Sequence, residues 1–69
     1  MTSSEKVDML AECLEKGKKA KLTLNDGNIL VCTPYTQAED EDDWAFDVWA
    51  DGRLTTILMK DIKEIKEVA

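Results

Sequence analysis

The chain has 69 residues, 43% of them hydrophobic and 35% charged, with a formal net charge of −6. That length suits a single domain over residues 1–69, and a domain of this size buries only about 60% of the surface that its unfolded chain exposes, so the core is thin. The acidic balance disfavours nonspecific nucleic-acid binding, and the absence of histidine excludes Ser-His-Asp triads, Cys-His dyads and most zinc sites.

The N-terminus, Met1-Thr2-Ser3-Ser4-Glu5, lacks the charged segment and apolar run of a secretory signal. No apolar stretch approaches membrane-spanning length, so a cytoplasmic chain without a membrane partner is expected. Residues 2–16 have the pattern of a helix. Thr2 precedes Glu5 at capping-box spacing, with Ser4 as an alternative N-cap. Val7, Leu10, Ala11 and Leu14 recur at helical spacing and form one apolar face, flanked by Met9 and Cys13. Lys16 places a cation at the negative helix end, and Gly17 is free to adopt the left-handed conformation that ends it.

After Gly17 the period falls to two. Ala20, Leu22 and Leu24 alternate with polar residues over 20–25, a half-buried strand, and Asn25-Asp26-Gly27-Asn28 is a hairpin turn. The strand over 28–35 is apolar on both faces, as expected of a central strand or one bent to serve two sheets. Pro34 removes a ladder donor and marks a bend, bulge or edge. Residues 39–43 are five consecutive acids, read as a hydrated loop before a strand over 43–50. In that strand Trp44, Phe46, Val48 and Ala50 are expected on the core face, with Asp47 and Trp49 on the other. Asp51-Gly52 is a second tight turn, before a strand over 53–59. The tail fits helical spacing at Ile62, Ile65 and Val68, but a strand over 64–68 is preferred because it helps close the sheet. Cys13 and Cys32 form no CxxC pair and are expected to be buried, reduced thiols.

These elements predict a mainly β fold: an N-terminal helix followed by a five-stranded, strongly bent antiparallel barrel of the Sm-like or SH3-like kind. Closure into a barrel would remove aggregation-prone edges. The segment "LTLNDGNILVCT" resembles the first half of the Sm signature, with Gly27 at the family's turn glycine. Cys32 stands where Sm proteins often have a second glycine that lets the strand bend. The place of the family's RNA-binding loop holds the acidic Gln37 to Asp43, and "ILMKDI" replaces the expected Arg-Gly pair. Within this superfamily the chain is most similar in style to the small acidic bacterial inhibitors of the Rho transcription terminator. Those inhibitors bind a protein, and the resemblance implies the same here.

Three functional readings follow. The first is a non-enzymatic regulatory or adaptor module that docks an acidic surface on a basic protein. Its candidate residues are Asp40, Asp42, Asp43, Asp47 and Asp51, with Trp49 as apolar anchor. The second is RNA binding by an oligomeric ring, through Lys18, Lys19 and Lys21; no aromatic or arginine accompanies them. The third is a structural subunit without a ligand. Self-association through sheet edges suits so thin a core. The acid run lacks the glycine and the bidentate glutamate of a calcium loop, so neither metal nor cofactor is expected. Asp47 and Asp51 are candidates for carboxylate catalysis only by their proximity in sequence, a barrel this small offers little concavity, and no enzyme is expected.

Overall fold

The computed structural model describes residues 1–40 and 43–68. Helix α1 (Ser3–Lys16) precedes β1 (Lys19–Leu24), β2 (Ile29–Glu39), β3 (Trp44–Ala50), β4 (Arg53–Leu58) and β5 (Ile62–Val68), and a 3-10 turn, Met59–Asp61, joins the last two strands. All neighbouring strands are antiparallel, and the sheet order is β4-β3-β2-β1-β5.

The capping box forms as its spacing predicts. The Glu5 N–H donates to Thr2 Oγ1 at 3.2 Å, and the Thr2 N–H donates to Glu5 Oε1 at 3.0 Å. Two orphan donors are thereby satisfied. Gly17 ends the helix at φ +68°, where an L side chain would be strained. The buried stripe runs through Lys6, Val7, Leu10 and Cys13. It is rotated toward the Cys13 side of the expected face. Ala11 falls outside it, and Leu14, in the last turn, is 41% exposed.

β2 serves two ladders. Its first part pairs with β1, from Thr23↔Ile29 to Ala20↔Cys32. Its second part pairs with β3, from Thr33↔Trp49 to Glu39↔Trp44. The register shifts between Pro34 and Thr36, leaving Tyr35 as an extra residue. Pro34 has no N–H to give to a ladder, so the bulge falls where the backbone loses least. Because the strand continues past the bulge, β2 runs four residues beyond its expected end at 35, and Glu39 lies in a ladder and not in the hydrated loop expected over 39–43. Two members of the acid run, Glu41 and Asp42, lie outside the described residues.

The tail is a strand that begins at Ile62, two residues before the expected start, and Met59 belongs to the preceding turn. The pairs Thr23↔Glu64 and Leu24↔Ile62 skip Lys63. This irregularity lets Ile62 and Ile65, three apart, both face the core, which explains the helix-like spacing. Asp51 and Gly52 turn β3 into β4 with φ of 52° and 75°, positive at both positions as a two-residue type I′ hairpin requires.

The core lies between α1 and the concave side of the sheet. Leu10, Leu22, Phe46, Val48, Met59 and Ile62 are fully enclosed. Trp44 departs from the expected inward position and is 48% exposed. It is the first residue of β3, opposite the last of β2, and so stands at the rim beyond the packed interior. The sheet is bent but not closed: no ladder joins β4 to β5. The β5 edge has charged residues at Lys63, Glu64, Lys66 and Glu67, together with an irregular register, both common defences against edge pairing. No helix among the described residues is long and apolar enough to cross a membrane.

With so few enclosed side chains, Phe46→Ala should cost about 3–5 kcal/mol, most of the stability of a domain this small. Trp49→Ala removes an exposed ring and its contact with Tyr35, and should cost no more than about 1.5 kcal/mol. Urea unfolding of the two variants checks this contrast.

Candidate functional site

The acids proposed as one docking surface divide between two places. Asp40 follows the end of β2 and Asp43 precedes β3, whereas Asp51 lies in the turn after β3. The length of β3 separates these ends by on the order of 20 Å. Trp49 therefore lies at the other end of β3 from Asp40 and Asp43, and Trp44 stands beside them.

At the β2–β3 end, Ser3, Gln37, Ala38, Glu39, Asp40, Asp43 and Trp44 line an open groove of about 660 Å³. The bulge builds it. Pro34 is buried on the core side, and one residue is then inserted, so the alternation after Tyr35 is shifted. Gln37 comes opposite core-facing Phe46, and Glu39 opposite Trp44. Glu39 and Trp44 thus share the helix side of the sheet, where Ser3 of α1 closes the groove. No basic side chain lines it among the described residues.

Asp43 is a latch more than a ligand. Its Oδ2 accepts from the Lys60 N–H at 2.6 Å, and its Oδ1 accepts from Ser3 Oγ at 3.3 Å. The Lys60 N–H is the main reason that the carboxyl is held below the usual carboxylate range; the Trp44 N–H and Ser3 hydroxyl add to the effect. Lys6, which carried no functional reading in the sequence, reinforces the same junction. It is buried, and its Nζ donates to the Met59 carbonyl at 2.8 Å. A lysine one position before Val7 reads as surface; only the arrival of residue 59 makes it interior.

On the convex side, Trp49 is 44% exposed and meets Tyr35 edge-to-face, with ring centroids 6.2 Å apart. Asp47 lies on the same face and accepts from Thr56 Oγ1 at 2.5 Å. Asp51 and Trp49 border a shallow notch with Lys19, Val31 and Thr33. The structure therefore brings Trp49, Asp47 and Asp51 together but places Asp40 and Asp43 elsewhere. Of the three lysines, Lys19 and Lys21 are exposed on β1, while Lys18 Nζ is 2.8 Å from Glu67 Oε1. Lys18 is the largest cause of the lowered Glu67 pKa.

Both thiols are buried and free. Burial raises the pKa of each, and that of Cys32 is pushed up to about 11, with Cys13 beside it as the second cause. Protonated, enclosed thiols are poor nucleophiles. Among the described residues, no group of three or more His, Cys, Asp or Glu side chains is placed to hold a metal ion. No protein-family model matches the chain, and comparison with curated proteins and with solved structures finds no match.

The latch has an acid signature. A carboxyl with a lowered folded-state pKa contributes stability that is complete above its unfolded pKa of about 3.9. That contribution is lost as pH falls through the lower folded value. An NMR titration should place the Asp43 midpoint below that of an ordinary aspartate. On acidification below about pH 4, the thermal midpoint should fall more steeply for the wild type than for Asp43→Asn. An ordinary midpoint for Asp43 would contradict the latch.

Proposed function

We propose that this protein is a non-enzymatic, cytoplasmic binding module that docks an acidic surface on a basic protein partner, in a regulatory or adaptor role. One observation carries the reading: the groove at the β2–β3 end combines an exposed tryptophan with the carboxylates of Glu39 and Asp40 and has no basic side chain among its described lining. Tryptophan is enriched at interface hot spots, and its ring face attracts lysine and arginine cations. Carboxylates around it steer such groups inward. The expected acidic surface is thus kept, but its anchor moves from Trp49 to Trp44.

The finer fold assignment belongs to the same proposal. A helix followed by five antiparallel strands, one of them bent to serve two ladders, is compatible with a small barrel-like domain, and we place the chain in the Sm-like or SH3-like class. Against an enzyme stand the enclosed thiols and the position of Asp47 and Asp51 on the outer sheet face. RNA binding remains the rival reading because Lys19 and Lys21 share the outer face with Trp49. Lys18 is already committed to Glu67.

Binding of a labelled arginine-rich peptide tests the proposal. Trp44→Ala, and separately Glu39→Lys with Asp40→Lys, should each weaken binding by about tenfold or more. Raising the salt should weaken it further. Replacing Lys18, Lys19 and Lys21 by Ala should leave peptide binding intact. That variant instead abolishes binding of labelled single-stranded RNA if the rival holds. Unchanged peptide affinity in both groove variants would refute the groove.

A further inference from the structure

The convex side of the sheet has an ordered pattern of its own. The pairings set Val68 beside Lys19 on one side of the face, and Thr33, Trp49 and Leu54 in a row on the other; Lys19 and Thr33 both line the notch between the two groups. A second row runs Lys66, Lys21, Val31. Asp47 and Thr56 pair on the far side of Trp49. The face therefore has three zones. On β1 and β5 stand Lys19, Lys21 and Lys66, with Glu64 beside Lys66. On β3 and in the turn after it stand Asp47 and Asp51. Between and among them are five apolar side chains, each about half exposed: Ile29 at 58%, Val31 at 50%, Tyr35 at 52%, Trp49 at 44% and Leu54 at 46%.

Single exposed apolar residues are ordinary, but a contiguous set rimmed by charge marks an interaction site. The order of the zones identifies the occupant. A nucleic acid would meet Asp47 and Asp51 on either side of Trp49 along β3, and Glu64 beside Lys66 at 3.6 Å, on a chain of net charge −6. A second copy offers the reverse order of the same zones. Rotation by 180° about an axis parallel to β2 and lying in the contact plane sets the lysine flank of each copy against the aspartate flank of the other. The apolar zone then meets itself. Rotation about the in-plane axis perpendicular to the strands would oppose lysine with lysine. We propose that two copies of this chain associate through their convex sheet faces in this first arrangement, a self-complementary contact with two-fold symmetry. Tyr35 and Trp49 lie in the buried zone, and the notch beside Val31 and Thr33 seats an apolar side chain of the other copy. Strand edges take no part, and the acidic groove on the helix side stays open in each copy. The association is therefore independent of what the groove binds.

Sedimentation equilibrium of the full chain, from micromolar to millimolar concentration, tests this. The expected result is reversible doubling of mass. Lys19→Glu with Lys21→Glu makes both flanks acidic. Asp47→Lys with Asp51→Asn makes both flanks basic, the asparagine tolerating the positive φ at position 51. Each double variant alone should raise the dissociation constant by about tenfold or more, because like charges then face each other. An equimolar mixture of the two should restore association, since each then presents what the other lacks. Val31→Glu should weaken the dimer with either flank intact. Circular dichroism establishes that each variant is folded. A monomer across the whole range would overturn the proposal. So would association that none of these changes affects, a mixture no tighter than its components, or doubling that depends on added single-stranded RNA.

Discussion

The fold depends on a single strand doing two jobs. Ile29 to Cys32 of β2 pair with β1, and Thr33 to Glu39 pair with β3. A straight strand could not face both neighbours of so small a sheet and still leave α1 a concave side to fill. The extra residue at Tyr35 resolves the conflict, and Pro34 beside it, fully enclosed, fixes where the resolution occurs. Everything after this point inherits the shifted alternation. Glu39 and Trp44 stand together on the helix side because of it, and the acidic groove is a product of the bend.

Much of this was legible in the residues. Thr2 and Glu5, Gly17, Asp51-Gly52 and the alternation of Leu22, Phe46 and Val48 each act through local geometry, and each behaves as its neighbours in sequence dictate. Pro34 announced an irregularity but not its kind. What stayed hidden was set by distant partners. Trp44 continues the inward alternation of Phe46 and Val48, yet the interior ends before it, and only the three-dimensional outline shows where. Lys6 has the sequence context of a surface residue; its burial depends on a carbonyl 53 positions away. Asp43 is one of five adjacent acids, and nothing local marks it as a residue that holds a backbone N–H.

The candidate site was legible by composition more than by position. Acids near exposed aromatics were expected, and both exist. Their assignment to one surface failed because side-chain alternation says which face a residue occupies, not which end of the strand other groups reach. The two tryptophans mark the two ends of β3 and face opposite sides of the sheet, where they meet different company. Trp44 is bordered by carboxylates at the groove, while Trp49 lies among tyrosine, lysine and aspartate. Exposure of so much aromatic and aliphatic surface is the counterpart of the thin core. A sheet of five strands has two faces, and one helix covers only one of them.

The turn Met59–Asp61 gathers more of the chain than its three residues suggest. Its carbonyls at 59, 60 and 61 accept from Lys6 Nζ, from Asn25 Nδ2 at 2.7 Å and from the Asn25 N–H at 2.9 Å, and its Lys60 N–H is taken by Asp43. Helix, first hairpin turn and the rim of β3 are thus all anchored to a segment made after them. During synthesis none of these anchors is present until residue 61 has emerged, and the Met59 side chain is missing from the core until then. Contacts of this sequence separation are slow to form. The interior is therefore incomplete until this turn has joined it.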